Sequence, residues 1–272
     1  MQQILYFLII FIFGLIVGSF LNCVIYRLEV GQGFFKGRSY CPHCKQTLSW
    51  LDLIPVLSFF ALRGRCRHCH QKISWQYPLV EIVTGLLFIF NFLRSDLLGR
   101  SDLLIFWFAI IQFLIVIFVY DLKHYIIPDR VIYPAIGIAL VYNFLKSDFL
   151  VSTPGVFSST PGVFWKSDFL ISAFGAAGFF LAIVIISRGR WMGVGDIKLA
   201  FLMGLVLGWP NIFAALFLAF LIGAIIGIGL IFLGKKTIKS EVPFGPFLVL
   251  GTFIALFWGD IIINWYIKFI IV

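Results

Sequence analysis

The sequence predicts an all-α polytopic membrane protein with about eight transmembrane helices and a small cytoplasmic zinc-ribbon loop. Of its 272 residues, 61% are hydrophobic and 12% are charged, whereas soluble domains average about 45–50% and about 25%. A water-soluble domain is excluded, because its surface would need more charge than this chain carries. The apolar residues fall into eight long stretches, and four of the five cysteines lie in one basic loop.

Each apolar stretch is a candidate span, since a membrane helix takes about 20 residues. The predicted helices cover residues 4–25, 78–93, 103–120, 131–145, 169–187, 197–209, 212–233 and 247–265. Those beginning at residues 131 and 197 are short, which predicts that they are tilted or end in a cavity. We expect the first stretch to be a retained helix, not a cleaved signal, because residues 1–6 contain no Lys or Arg.

The distribution of Lys and Arg predicts the orientation. Alternate loops hold sixteen of the 21 basic residues, and such loops face the cytoplasm. Both termini are then outward and the loop after the first helix is cytoplasmic, which gives three parts: a first transmembrane helix (1–26), a basic loop (27–77) and a seven-helix membrane domain (78–272). Basic loops commonly indicate only topology and contact with anionic lipid. No aromatic-basic module predicts nucleic-acid binding.

The cytoplasmic loop contains two CxxC pairs, Cys41 with Cys44 and Cys66 with Cys69, separated by 21 residues. This spacing is typical of four thiolates around one Zn²⁺ ion. Two disulfides are the alternative, but the cytosol keeps thiols reduced. A four-cysteine shell leaves no position for water, so the predicted zinc is structural. The outward loop 146–168 carries short duplicated sequences, from which we expect no chemistry.

Two acids beside the apolar stretches predict a catalytic pair. Asp121 ends one predicted helix and Asp196 opens another, and both ends are predicted to be cytoplasmic. Two carboxyl groups at one site share a proton and can activate water. Asp196 is also a candidate helix N-cap, and for Asp129 we favour the N-cap interpretation. Asp121 has no such role, because the helix dipole disfavours an anion at a C-terminus.

The residues before Asp196 are consistent with a site for an extended substrate. Gly193 and Gly195 flank Val194, and a backbone without Cβ atoms allows close approach and a sharp turn into a helix. We therefore name both glycines as candidate substrate-binding residues. Nucleophilic serine chemistry is not indicated, since the sequence contains no Gly-x-Ser-x-Gly elbow.

Several ordered motifs resemble those of the bacterial type IV prepilin peptidases, which are aspartic membrane proteases of the GxGD type. The resembling segments run through most of the chain: GSFLNCVIYR at 18–27, the cysteine pairs with WLDLIPVLS at 50–58 and LRGRC at 62–66, YPLVE at 77–81, residues 121–129, MGVGDIKL at 192–199 and PFGPF at 243–247.

The resemblance implies a function and its residues. It implies cleavage of the basic leader of type IV prepilins and type II secretion pseudopilins, at the cytoplasmic face of the bacterial inner membrane, with Asp121 and Asp196 as the catalytic pair. It also implies N-methylation of the new N-terminus with S-adenosylmethionine, because the cysteine-bearing region marks bifunctional members. No glycine-rich nucleotide loop accompanies the implied methyl donor. Because a basic leader would be repelled by basic loops, we expect Glu29, Glu81 or Asp129 to receive it.

Two alternatives stay open from the sequence. One is an intramembrane aspartyl protease like presenilin or signal peptide peptidase, which shares the Tyr-Asp and Gly-x-Gly-Asp patterns but carries a late Pro-Ala-Leu motif and no CxxC pairs. The other is a transporter or scaffold with a zinc-ribbon docking loop, because buried acids and short helices also suit transport. The transporter or scaffold predicts no loss of pilin maturation when Asp196 is mutated.

Overall fold

The structure is a computed structural model that describes residues 2–33, 37–97, 101–146, 168–234 and 242–271. The described helices are α1 (Gln2–Glu29), α2 (Leu57–Ala61), α3 (Gln76–Leu97), α4 (Ser101–His124), α5 (Asp129–Lys146), α6 (Asp168–Ser187), α7 (Val194–Leu207), α8 (Asn211–Phe232) and α9 (Gly245–Ile271), with a 3₁₀ turn at Trp50–Leu53. The interior of the duplicated outward loop lies outside the described residues.

The predicted all-helical membrane fold is confirmed. Each of the eight predicted stretches forms a helix. Among the residues that the structure describes, six helices are long and apolar enough to cross a bilayer: α1, α3, α4, α6, α8 and α9. The other two, α5 and α7, correspond to the stretches that were predicted to be short. Within the described residues the only β pairing is two isolated bridges in the cysteine loop.

The starts of α5 and α7 differ slightly from the predicted ones. The Pro128 carbonyl accepts the backbone N–H groups of Val131 and Ile132, so Pro128 occupies the capping position and Asp129 already belongs to α5. Helix α7 begins at Val194, which makes Asp196 its third residue and not the residue before it. The N-cap interpretations of Asp129 and Asp196 are therefore wrong. The capping position is occupied by Pro128 before α5 and by Gly193 before α7.

The first of two compact units comprises Met1–Val116. Helices α1 and α3 pack closely because glycines face each other: a Cβ on Gly14 would lie 2.6 Å from the Gly85 Cα atom. Below this contact the fully buried Phe88 ring stacks on Phe108 of α4 with a centroid distance of 4.4 Å. This packing fixes the positions of the two ends of the cysteine loop, because the loop begins at the end of α1 and finishes at the start of α3.

The second unit comprises Ile117–Val272, and α7 is its centre. Helix α7 packs against α5, α6, α8 and α9, and the Asn143 side chain of α5 donates a hydrogen bond to the Leu205 carbonyl at 2.9 Å. With 14 residues, α7 is about 21 Å long, shorter than a bilayer core of about 30 Å. Its buried residues are Leu199, Ala200, Leu202, Met203, Gly204 and Leu205.

Candidate active site and metal centre

Asp121 lies in the last turn of α4 and is only 4% exposed. The backbone N–H of Gly245, at the start of α9, donates a hydrogen bond to its carboxylate. A Cβ at Gly245 would contact the Asp121 Oδ2 atom and would lie 3.1 Å from its Cγ atom. Glycine at position 245 is therefore what allows the α9 backbone to approach the Asp121 side chain.

Asp196 lies in the first turn of α7 and is partly exposed. Its Oδ2 atom accepts the backbone N–H of Gly193 at 3.1 Å. This bond fixes the carboxylate against the residue that precedes the helix. A helix N-terminus favours an anion, because its free N–H groups carry partial positive charge.

The two aspartates, which are 75 positions apart in the sequence, come together in the second unit. Their carboxyl groups interact electrostatically. Ile127, in the connection between α4 and α5, lies between their flanking glycines: a Cβ on Gly195 would be 3.1 Å from the Ile127 Cβ atom, and one on Gly245 would be 3.5 Å from its Cδ1 atom. The end of α4 and the starts of α7 and α9 thus converge around one buried isoleucine.

Two neighbouring carboxyl groups have a defined chemistry. Like charges at one site disfavour double ionisation, so one group holds a proton while the other is a base. The ionised group accepts a proton from water and the protonated group gives one to a leaving amine. Peptide hydrolysis needs no further group for these proton transfers.

The three acids expected to receive a basic leader lie in different surroundings. Asp129 is exposed, and its Oδ1 atom pairs with Lys198 Nζ at 2.5 Å. Glu81 is 6% exposed, and its Oε2 atom accepts the Val56 backbone N–H at 2.7 Å. Glu29 is the last residue of α1. Asp129 is the one of the three that shares a unit with Asp121 and Asp196, and the leader-binding role of all three stays a prediction.

The four cysteines of the basic loop form one cluster. Their sulfur atoms lie within 4.8 Å of one another, and Cys41 Sγ is 3.8 Å from Cys69 Sγ. Four thiolates placed tetrahedrally about 2.3 Å from Zn²⁺ would be about 3.8 Å apart. The spacing of the sulfurs fits this ion, and His43, His68 and His70 are not part of the described cluster.

The two CxxC pairs share one backbone design. The Lys45 N–H bonds to the Cys41 carbonyl at 2.9 Å, and the His70 N–H bonds to the Cys66 carbonyl at 3.0 Å. Lys45 and His70 have φ values of 60° and 57°, which turn the chain back after each pair. The result is two similar knuckles that present all four thiols to one point.

The two thiols of the second knuckle differ. Backbone N–H groups of Cys69 and His68 donate to the Cys66 sulfur and lower the pKa of this thiol to about 7, which favours the thiolate that metals require. At Cys69 a hydrogen bond from the Gln71 backbone lowers the pKa, but burial and the neighbouring cysteines outweigh it and raise the pKa to about 11. The knuckle is tied to the 3₁₀ turn by an ion pair of 2.8 Å between Arg67 and Asp52. Burial raises the pKa of the Asp52 carboxyl, but hydrogen bonds from Ser49 and Arg67 outweigh this and lower it.

Sequence reasoning missed two residues of the candidate active site. Gly245 belongs to the PFGPF motif, to which no role was assigned, and Ile127 looked like an ordinary apolar loop residue. Gly245-Pro246 is a sequence that can start a helix with a close backbone contact. Its partner, however, lies 124 positions earlier, and only the fold reveals it.

Comparison with known proteins gives a consistent picture. Residues 12–95 match the bacterial peptidase A24 N-terminal domain and residues 108–228 match the type IV leader peptidase family. Relatives named prepilin leader peptidase/N-methyltransferase include those of Aeromonas hydrophila (34% identical, covering 97% of this chain and 94% of the relative) and Bacillus subtilis strain 168 (35%, 96% and 97%). The relative of Legionella pneumophila is 32% identical, with 97% and 95% covered. No solved structure matches.

The comparisons favour the leader peptidases over both alternatives that the sequence left open. The match to the relatives extends over the cysteine loop as well as over the seven helices that follow it. The relatives that match over nearly the whole chain are named prepilin leader peptidases, and neither an intramembrane protease of the presenilin kind nor a transporter is among those named here. The chain therefore belongs to the type IV leader peptidase family.

Proposed function

We propose that this protein is a prepilin peptidase that removes the basic leader of type IV prepilins and type II secretion pseudopilins, with Asp121 and Asp196 as its catalytic residues. The observation that carries the proposal is the convergence of these two carboxyl groups from α4 and α7. The names of the relatives support prepilins as substrates, and the pseudopilins are what the resemblance of the sequence motifs implies.

The proposed reaction is general acid-base hydrolysis without a covalent intermediate. The ionised carboxylate takes a proton from a water molecule, and the resulting hydroxide adds to the scissile carbonyl carbon. The protonated carboxyl group then gives its proton to the leaving amine, and the C–N bond breaks. The Gly245 and Gly193 N–H groups hold Asp121 and Asp196 in place for these transfers.

We further propose that the backbone at Gly193 and Gly195, where an extended residue turns into α7, receives the substrate. Gly193 is exposed and has an extended conformation, with φ −85° and ψ 159°. Gly195 lies against Ile127, so a side chain there would push the start of α7 away from the site. Both observations support the prediction that positions 193 and 195 must stay free of side chains.

The enzyme has a second proposed activity, the transfer of a methyl group from S-adenosylmethionine to the newly exposed amino group. Its support is the N-terminal domain at residues 12–95 and the N-methyltransferase activity in the names of the relatives. The methyl donor supplies an electrophilic carbon, and the substrate amine must be neutral to attack it.

A structural Zn²⁺ is proposed for the four-cysteine cluster. Cys41, Cys44, Cys66 and Cys69 would hold it, and its role would be to fix the two knuckles together. With four protein ligands the ion has no free position for water, so hydrolysis is left to the aspartates.

The proposed location is the bacterial inner membrane, with the active site facing the cytoplasm and both termini outward. The six apolar helices make the protein a multi-pass membrane protein. The excess of Lys and Arg in alternate loops supports the cytoplasmic orientation of the active site.

The direct test replaces Asp121 or Asp196 with Asn in the purified full-length protein and follows a synthetic leader-bearing pilin peptide by mass spectrometry. We expect either variant to lose cleavage by about 10⁴-fold while keeping its helical content and bound metal. Asp260→Asn is the matched control, because Asp260 lies fifteen residues beyond Gly245 in α9, about 22 Å away. Full cleavage by either active-site variant would disprove the catalytic pair.

A further inference from the structure

The short helix α2 is held beside a membrane-spanning helix. The backbone N–H of Val56, immediately before α2, donates to the buried carboxylate of Glu81 at 2.7 Å. Glu81 is the sixth residue of the candidate span that begins at Gln76, which is about 7.5 Å along that helix. The start of α2 therefore lies beside the second turn of α3, close to the end of that candidate span, where we expect the bilayer surface to be.

One face of α2 is apolar and exposed. Leu57 is 68% exposed and Phe60 is 58% exposed, while Phe59 is buried and anchors the helix to the unit. Trp75, one residue before α3, is 62% exposed and its ring lies 4.9 Å from that of Phe59. Exposed Trp, Phe and Leu side chains at the start of a spanning helix are typical of the membrane interface, where the rings lie among the headgroups.

A basic cavity follows α2 directly. It has a volume of about 610 Å³ and is lined by Ala61, Leu62, Arg63, Arg65, Cys66, Arg67 and His70. Arg67 is neutralised by its ion pair with Asp52. Within the described part of the chain, neither the Arg63 nor the Arg65 guanidinium has a hydrogen bond or an ion pair, and no acid lines the cavity. Two uncompensated charges thus lie next to an exposed apolar face.

We propose that α2, Trp75 and the adjacent cavity form a docking surface for anionic phospholipid, on which Leu57 and Phe60 enter the interface and Arg63 and Arg65 bind headgroup phosphate. A guanidinium forms paired hydrogen bonds to a phosphate. Attraction to an anionic surface contributes about fivefold in affinity for each Arg near it.

The combination of positive charge and apolar surface favours anionic phospholipid as the ligand. A soluble anion would use the arginines but not the exposed Leu57 and Phe60, and a basic leader segment would be repelled by Arg63 and Arg65. A bilayer rich in phosphatidylglycerol offers both phosphate for the arginines and hydrocarbon for the apolar side chains. Lipid binding at this surface does not depend on peptidase activity.

The experiment uses the full-length protein in nanodiscs of phosphatidylcholine alone or with 30% phosphatidylglycerol. The readout is amide hydrogen exchange of the peptides covering residues 55–65, together with the phosphatidylglycerol retained by the purified protein in native mass spectrometry. We expect phosphatidylglycerol to slow exchange in α2 and to be retained. The double variant Arg63→Gln with Arg65→Gln should reduce its retention by about 25-fold and abolish the slowing.

A matched control separates this surface from general charge effects. The double variant Arg38→Gln with Arg190→Gln removes the same charge from exposed arginines that do not line the cavity, and it should behave like the wild type. The double variant Arg63→Lys with Arg65→Lys should keep most of the retention, which also shows that the loop still folds. Equal exchange in both nanodiscs, or equal lipid loss in the two double variants, would overturn the proposal.

Discussion

Replacing Gly245 with Ala tests the geometry of the proposed catalytic pair without removing either carboxyl group. The added methyl would lie 3.1 Å from the Asp121 Cγ atom and would contact Oδ2 even more closely. Apolar contacts normally settle at about 3.5–4.0 Å, so the carboxylate must retreat by about 1 Å. Asp121 is buried at the end of α4, and the start of α9 packs against its carboxylate. We therefore expect the Asp121 side chain to move when the methyl group is added.

A displacement of about 1 Å of a reacting group costs about 100-fold in rate. We therefore expect kcat for leader cleavage to fall about 100-fold in Gly245→Ala, which corresponds to about 2.7 kcal/mol of transition-state stabilisation. KM should change little, because the substitution does not touch the glycines proposed to receive the substrate. The assay follows cleavage of a synthetic prepilin peptide by mass spectrometry over a range of concentrations.

The control for Gly245→Ala is Gly227→Ala in α8, where a Cβ meets no atom within 4 Å. That variant should retain full activity and gain up to about 1 kcal/mol in helix stability. If Gly245→Ala cleaves within threefold of the wild-type rate while its fold is intact, then the contact between α9 and Asp121 has no part in catalysis and the proposed site is wrong in its geometry.

Three further predictions address other parts of the molecule. Cys44→Ser should release the bound zinc, measured by metal analysis, whereas Cys23→Ser should retain it, because Cys23 lies outside the described cluster. Asp129→Lys should weaken cleavage of a basic leader and partly restore cleavage of an acidic one, and no change in either would remove Asp129 as a leader-binding residue. Gly14→Leu should separate α1 from α3 and lower the thermal midpoint of the purified protein, since a Cβ there already meets Gly85; an unchanged midpoint would contradict that packing.

The sequence predicted the helices well, because each apolar run of spanning length has only one way to satisfy its backbone in a bilayer. It predicted Asp121 and Asp196 for a related reason: a carboxylate at the edge of an apolar stretch is costly and has few structural explanations. The four-cysteine cluster was equally accessible, since the spacing of two CxxC pairs constrains where their sulfurs can go.

Contacts between distant segments were not accessible in the same way. Asp129 was predicted as a helix cap, yet its carboxylate pairs with Lys198 from 69 positions away. Nothing local to either residue indicates this pair. The partners of Gly245 and Glu81 could not be predicted for the same reason. They depend on how whole helices pack, whereas a single sequence shows only the apolar periodicity of each helix.

The length of α7 connects the fold with the proposed chemistry. A helix of about 21 Å that is surrounded by α5, α6, α8 and α9 cannot reach both faces of a core of about 30 Å, so at least one of its ends must lie within the protein. Backbone ends and carboxylates at such depth are tolerated only where they line a polar cavity or are buried in protein. Asp196 is in the first turn of this helix and is partly exposed, whereas most of the residues between Leu199 and Leu205 are buried. A hydrolase in a membrane needs this combination, because its base must reach water while the rest of the helix holds that base against its partner.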